Sequence, residues 1–102
     1  MRYVTDAIGG SVLVFHTIPE LQLVRRYGLE GEPWAIAHDA ERRRLWVTLA
    51  GADRLVEMST GRRIRRLQEY PTVAEPTTLS LDYPMVTVGG RHGVRHFEPR
   101  TR

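Results

Sequence analysis

The sequence predicts an all-β protein made of repeated antiparallel units, and three observations support this prediction. Segments rich in β-forming residues alternate with turn residues every ~8–12 positions, a spacing typical of antiparallel sheets. No segment has the sustained i, i+3, i+4, i+7 apolar spacing of an amphipathic helix. The stretch Trp46-Val47-Thr48 also has a counterpart 43 residues earlier, Tyr3-Val4-Thr5. The chain is therefore predicted to be a repeat protein with a period near 43 residues.

Ten strands are predicted from β-forming residues, with turn residues at their ends. In the first unit, Gly9-Gly10 makes a turn because glycine adopts positive φ at little cost. The next strand contains Val12-Leu13-Val14-Phe15, which is apolar on both faces and predicts packing on both sides. The second unit repeats this order, and the third has a tighter turn at 82–84. In chain order the predicted strands are 2–6, 11–16, 21–27, 34–38, 44–49, 54–58, 62–69, 77–81, 85–88 and 93–97.

A period near 43 with four strands per period is that of a β-propeller blade. The short strands at 34–38 and 77–81 suit the innermost position, where blades crowd around the axis. With that strand placed first, the chain divides into three strands of one blade (1–33), a complete blade (34–76) and three strands of another (77–102). A ring normally needs at least four blades. We therefore expect a partial ring, completed by further blades of a longer protein or by homo-oligomer partners, with the longer protein favoured.

The segment from Gly31 to Asp39, Gly31-Glu32-Pro33-Trp34-Ala35-Ile36-Ala37-His38-Asp39, followed by Leu45-Trp46-Val47-Thr48, resembles the repeats of YVTN-type β-propellers. Tyr3-Val4-Thr5-Asp6 is nearly the tetrapeptide for which these repeats are named. The chain departs from the family pattern at Ala35, where the pattern has Gly, and at Leu49, where it has Asn. The resemblance, more distant to NHL and WD-repeat propellers, implies a propeller fold. It leaves function open, because such propellers host both binding and catalysis.

Composition excludes several kinds of chemistry. The 102 residues include no cysteine and no lysine, so all fifteen basic residues are arginine. Disulfides, thiolate nucleophiles, cysteine-bound metals and lysine Schiff bases are therefore excluded. No apolar stretch approaches the ~20 residues of a membrane span, and no signal peptide is visible. We expect a soluble chain without a membrane partner, and its cellular compartment is left open.

The candidate binding residues lie in loops expected to meet at one end of the sheets. Two of these loops enter the short strands and carry the repeated Glu-Pro pair, and the others are the turns between the second and third strands of each blade. An alternative interpretation is that Glu and Pro only shape the loop and that Trp34 packs near the axis. The predicted ligand-binding residues are Glu32, Trp34, Asp53, Arg54, Glu75, Arg91 and His92.

For the other polar residues, the sequence favours a structural role over a functional one. The arginine cluster at 62–66 falls on an outermost strand, whose solvated edge is usually protected by charge, and this argues against nucleic acid. His92 and His96 would share a strand face but lie too far apart for one metal ion. Glu57 and His96 occupy the position of Val14, between blades, so each must find a polar partner. No catalytic residue, metal site or cofactor is predicted.

Three function classes remain open from the sequence, and the third of them is a self-assembling structural ring. The leading hypothesis is a non-catalytic binding or scaffolding module, with a protein or small-molecule ligand at the loop face. The alternative, implied by the propeller resemblance, is a lyase- or lactonase-like enzyme with an axial site shared between blades. Whether the chain is an enzyme is left uncertain, and the binding module is preferred because no catalytic set is visible.

Overall fold

The computed structural model describes residues 2–16, 22–60, 64–82 and 85–98 of the 102-residue chain. These residues form ten strands and no helix, which confirms the predicted all-β class. Within the described part of the chain, no helix is long and apolar enough to cross a membrane. The strands are β1 (Arg2–Asp6), β2 (Ser11–His16), β3 (Gln22–Gly28), β4 (Pro33–Asp39), β5 (Arg44–Leu49), β6 (Arg54–Thr60), β7 (Ile64–Pro71), β8 (Thr78–Asp82), β9 (Met85–Gly90) and β10 (Gly93–Phe97).

Strands β6, β7 and β9 each extend two residues beyond their predicted ends, and β7 shows the physical reason most clearly. The sequence predicts a strand at 62–69 and a loop from Tyr70 onward, but β7 continues to Pro71. The physical reason is that Tyr70 pairs with Leu55 and stacks on Trp46, so its side chain belongs to the core rather than to a loop. Residues 62 and 63, the first two of the predicted strand, lie outside the described residues.

The ten strands form three antiparallel sheets in which sequence neighbours pair. The first sheet has the order β1-β2-β3, the middle sheet β4-β5-β6-β7, and the third sheet β8-β9-β10 when read from β8. Strands β1, β4 and β8 contact one another in sequence along one side of the stack. Among the described residues the sheets do not close into a ring.

The first and middle sheets have the same pairing when the numbering is shifted by 43 residues. Val12 pairs with Tyr27 in the first sheet, and Leu55 pairs with Tyr70 in the middle sheet. Each sheet also has a register irregularity at the corresponding point, between Val14 and Phe15 in one and between Glu57 and Met58 in the other. The sequence period therefore corresponds to a repeated strand geometry, including its bulge.

The core consists of two layers, one on each face of the middle sheet. Because side chains alternate along a strand, Val56 faces the first sheet whereas Leu55 faces the third, and both are fully buried. The layer toward the first sheet includes Val12, Leu29, Leu45, Val47, Leu49, Val56 and Met58. The layer toward the third sheet includes Trp46, Leu55, Val86 and Val88. The middle sheet is thus the structural centre of the described chain.

Candidate functional site

Two loops that share one backbone feature approach β4 and β8 at one end of the sheets. Each contains a glutamate with left-handed backbone geometry, Glu32 at φ 59° and Glu75 at φ 47°. The following prolines, Pro33 and Pro76, are both fully buried. A left-handed conformation costs a non-glycine residue roughly 1–2 kcal/mol. Its repetition at two glutamates, each before a buried proline, indicates that the loop geometry is held by its surroundings.

Backbone hydrogen bonds attach each loop to the turn of the same sheet. The amides of Ala50 and Gly51 donate to the carbonyl oxygens of Glu32 and Gly31, at 3.0 and 2.9 Å. In the third sheet the Arg91 amide donates to the carbonyl oxygen of Ala74, at 3.1 Å. These bonds bring the loops that enter the first strand of a sheet beside the turns that connect its second and third strands. The predicted meeting of these loops at one end is therefore observed in the middle and third sheets.

Asp53 links the middle sheet to the loop that enters the third sheet. Its carboxylate accepts a hydrogen bond from the Glu75 amide at 2.8 Å, and its carbonyl oxygen accepts one from the Thr72 amide at 3.1 Å. One period earlier, the carbonyl oxygen of Gly10 accepts the Leu29 amide at 2.7 Å, and both Gly10 and Asp53 have positive φ. Asp53 thus fixes the position of Glu75 in addition to contributing a charge.

A cleft of about 600 Å³ opens between these loops at the end of the middle and third sheets. Trp34, on β4, forms part of its wall, and 53% of its surface is exposed. Two hydrogen bonds hold the backbone at Trp34. Its carbonyl oxygen accepts a hydrogen bond from the Thr5 hydroxyl at 2.6 Å, and the Ala35 amide donates one to Thr48 Oγ1 at 3.0 Å. The cleft is lined by Glu32, Trp34, Ala50, Gly51, Asp53, Ala74, Glu75 and Thr77.

The cleft is acidic, with one basic residue at its rim. Glu32, Asp53 and Glu75 supply three carboxylates, and Arg91 Nη1 donates to Glu75 Oε1 at 3.2 Å. Both side chains of the Arg91–Glu75 pair are more than half exposed, so water screens their attraction. The arrangement presents an indole face beside carboxylates, which suits a cationic group.

The structure brings together four of the seven predicted binding residues in the cleft. These are Glu32, Trp34, Asp53 and Glu75, and Arg91 joins them through its pair with Glu75. Arg54 and His92 are exposed and do not line the cleft.

Trp34 is more than half exposed in the described chain, so it packs into neither apolar layer of the core. Sequence reasoning did not single out the small lining residues Ala50, Gly51, Ala74 and Thr77, although all but Ala74 lie within the loops and turns that it assigned to this end.

Two other cavities have linings with less distinctive chemistry. A larger cavity, about 880 Å³, lies between the first and middle sheets, but four glycines and two leucines make up much of its lining, and its Arg66 and Glu69 are paired at 3.1 Å. A smaller one, about 240 Å³, is lined by Arg2, Tyr3, Ile36 and His38. Size alone therefore does not identify the site, and the 600 Å³ cleft combines an exposed indole with three carboxylates.

Glu57, between the middle and third sheets, and His96, on the outer face of the third sheet, both have polar partners, as the sequence predicted. Glu57 accepts hydrogen bonds from Arg44 Nε at 3.2 Å and from the Tyr70 hydroxyl at 3.1 Å. Desolvation, together with the charge and hydrogen bond of Glu57, raises the pKa of Tyr70 to about 12. On the third sheet, His96 Nδ1 and Thr87 Oγ1 lie at hydrogen-bond distance, 2.9 Å. Within the described ranges, no group of three or more His, Cys, Asp or Glu residues could hold a metal ion.

The family models, curated proteins and solved structures with which we compared the chain gave no significant match. The likeness to YVTN-type propellers therefore remains a resemblance of sequence pattern.

Proposed function

We propose that the protein is a propeller-type binding module whose ligand or partner presents a cationic group to the cleft at the loop ends. In this proposal the three sheets are blades of a partial ring, completed by further blades or by self-association. Support for the blade arrangement comes from the 43-residue repeat of strand pairing and from the contacts of β1, β4 and β8 along one side. A four-stranded sheet repeated side by side is the unit of such rings.

The single observation that carries the binding proposal is the exposed Trp34 beside the repeated loop glutamates. A cation over an indole face gains ~0.5–2 kcal/mol, depending on how much water is removed. Glu32 and Glu75 would add electrostatic attraction, which salt weakens at this exposed position. Aromatic residues on otherwise solvated surfaces are also enriched in binding interfaces.

The experiment is a titration of the ¹⁵N-labelled protein with a capped tri-lysine peptide, followed through backbone amide shifts. Saturable shifts are expected at the cleft residues Gly51, Ala74 and Thr77, and Trp34→Ala should abolish them. A capped tri-glutamate peptide is the charge control and should cause none. Shifts that are absent, or that persist unchanged in Trp34→Ala, would contradict the proposal.

A second variant separates binding from folding. Glu32→Gly removes a carboxylate from the cleft while glycine readily adopts the left-handed backbone found there. We expect it to bind the peptide more weakly without loss of folding stability. The matched control is Glu30→Gly, an exposed glutamate of the same loop without positive φ and outside the cleft lining, which should leave peptide affinity unchanged.

A further inference from the structure

The two outer sheets of the described chain each leave one face open. On the first sheet, Val12 points into the core, so its neighbour Leu13 points the opposite way, together with its cross-strand partner Val4. Val4 is 40% exposed and Leu23, also on this side, is 50% exposed. We call Val4, Leu13, Phe15 and Leu23 the open face of the first sheet.

This open face corresponds to one that is buried in the middle sheet. When the numbering is shifted by 43 residues, Val4 corresponds to Val47, Leu13 to Val56 and Phe15 to Met58. All three middle-sheet residues are completely buried, in the layer toward the first sheet. The third sheet uses the same face, through Val86 and Val88, to pack on the middle sheet. In the middle and third sheets this face is therefore buried against the preceding sheet, whereas in the first sheet it is open.

The third sheet leaves the opposite face open. Because Val86 and Val88 face the middle sheet, the side chain of Thr87 points away from it, as do those of His96 and Val94. These two residues are the cross-strand partners of Thr87 and Gly89. We call Thr87, Gly89, Val94 and His96 the open face of the third sheet. The matching face of the middle sheet, with Trp46 and Leu55, is the one that receives the third sheet.

We propose that the open face of the first sheet packs on the open face of the third sheet of a second copy of this chain. The contact would continue the packing that joins the three sheets within one copy, with the same faces in the same order. This contact is heterologous, so it must close into a ring or extend as a filament. Two copies of the three described sheets would give six, which lies within the about 4–8 blades of typical rings. The inference rests on the proposed blade arrangement but not on the proposed ligand.

The first test is the solution mass of the chain by light scattering after size exclusion, over a range of concentrations. The expected result is a limiting species of twice the 11.7 kDa chain mass. A monomer at every concentration would overturn the proposal and would mean that other sheets or partners cover these faces. A mass that keeps increasing with concentration would overturn the closed two-copy ring.

Variants then identify the faces. Leu13→Glu and Val94→Glu each place a charge in the proposed contact and should each weaken association at least about tenfold, because an unpaired buried carboxylate is costly. The control is Leu67→Glu, which changes a 37% exposed leucine on β7, away from both open faces, and should leave the mass unchanged. Circular dichroism checks that all three variants remain folded.

Mixing the two variants distinguishes this contact from a symmetric one. A pair made of one Leu13→Glu copy and one Val94→Glu copy retains one unaltered contact, whereas a pair of identical variants retains none. The equimolar mixture should therefore associate more tightly than either variant alone. An effect of Leu13→Glu without any effect of Val94→Glu would overturn the head-to-tail arrangement. Peptide binding at the cleft is measured separately, so failure of one proposal does not imply failure of the other.

Discussion

At the scale of single residues, Glu57 shows that corresponding positions in the three sheets hold different kinds of side chain, namely Val14, Glu57 and His96. Tyr3 pairs with Val14, Trp46 with Glu57, and Thr87 with His96. A carboxylate between sheets is tolerated because Arg44 and Tyr70 satisfy its oxygens. Tyr70 in turn stacks on Trp46 and contacts Phe97, so the hydrogen bonds and the apolar layer position the same ring.

Tyr70→Phe is expected to reduce the free energy of unfolding by about 1–2 kcal/mol at neutral pH, because Glu57 loses a donor. The pH dependence has a definite sign. The pKa of Tyr70 is about 12 in the folded state against an ordinary value of 10.0, so the phenol favours the folded state at neutral pH. This contribution decreases as pH rises from about 10 to about 12, where the unfolded chain loses the proton first.

Urea unfolding at pH 7 and at several values above pH 9.5 measures this effect, in parallel with an ultraviolet titration of tyrosine. The Phe variant should lose less stability than the parent over the alkaline range, although it starts lower. Equal alkaline losses in both proteins would contradict a perturbed Tyr70.

At the scale of structural elements, the loop at 73–75 constrains the end of strand β9. Gly90 ends β9 directly against the loop that contains Val73 and Ala74. A Cβ atom at Gly90 would approach the Ala74 carbonyl oxygen and a Val73 methyl group closer than van der Waals contact. Gly28 ends β3, and a Cβ atom there meets nothing within 4 Å.

Gly90→Ala is therefore expected to cost about 1–3 kcal/mol of folding stability, because the loop backbone must move. Gly28→Ala is the matched control, since it makes the same chemical change in open space and should cost much less. Thermal or urea unfolding of the two variants measures the difference. Equal costs would show that the loop at 73–75 does not press on β9.

At the scale of the whole molecule, both faces of the middle sheet are covered, whereas each neighbouring sheet has one covered face among the described residues. Val47 and Val4 occupy corresponding positions, but Val47 is completely buried and Val4 is 40% exposed. The structural repeat therefore does not produce equal burial, because burial depends on which sheets have a neighbour on each side.

Val47→Ala is expected to cost about 2 kcal/mol or more, from lost burial of two methyl groups and the cavity that remains. Val4→Ala should cost less than about 1 kcal/mol in dilute protein. Unfolding measured as a function of protein concentration tests both values. If two copies associate as proposed, the cost of Val4→Ala should increase with concentration, whereas that of Val47→Ala should change little. A Val4→Ala cost as large as that of Val47→Ala in the monomer would contradict the observed burial.

The sequence alone determined the number and order of the strands and the 43-residue period, because alternation and turn chemistry are local properties. It also placed Glu32, Trp34, Asp53 and Glu75 in loops at a common end of the sheets. The tertiary structure decided which side chains meet, since that depends on the path of each loop. Trp34 is half exposed in the wall of the cleft, Asp53 accepts a hydrogen bond from the Glu75 amide, and Arg54 and His92 lie outside the cleft. Packing between sheets also decided that Tyr70 extends β7 and that two apolar positions of equal pattern, Val4 and Val47, differ in burial.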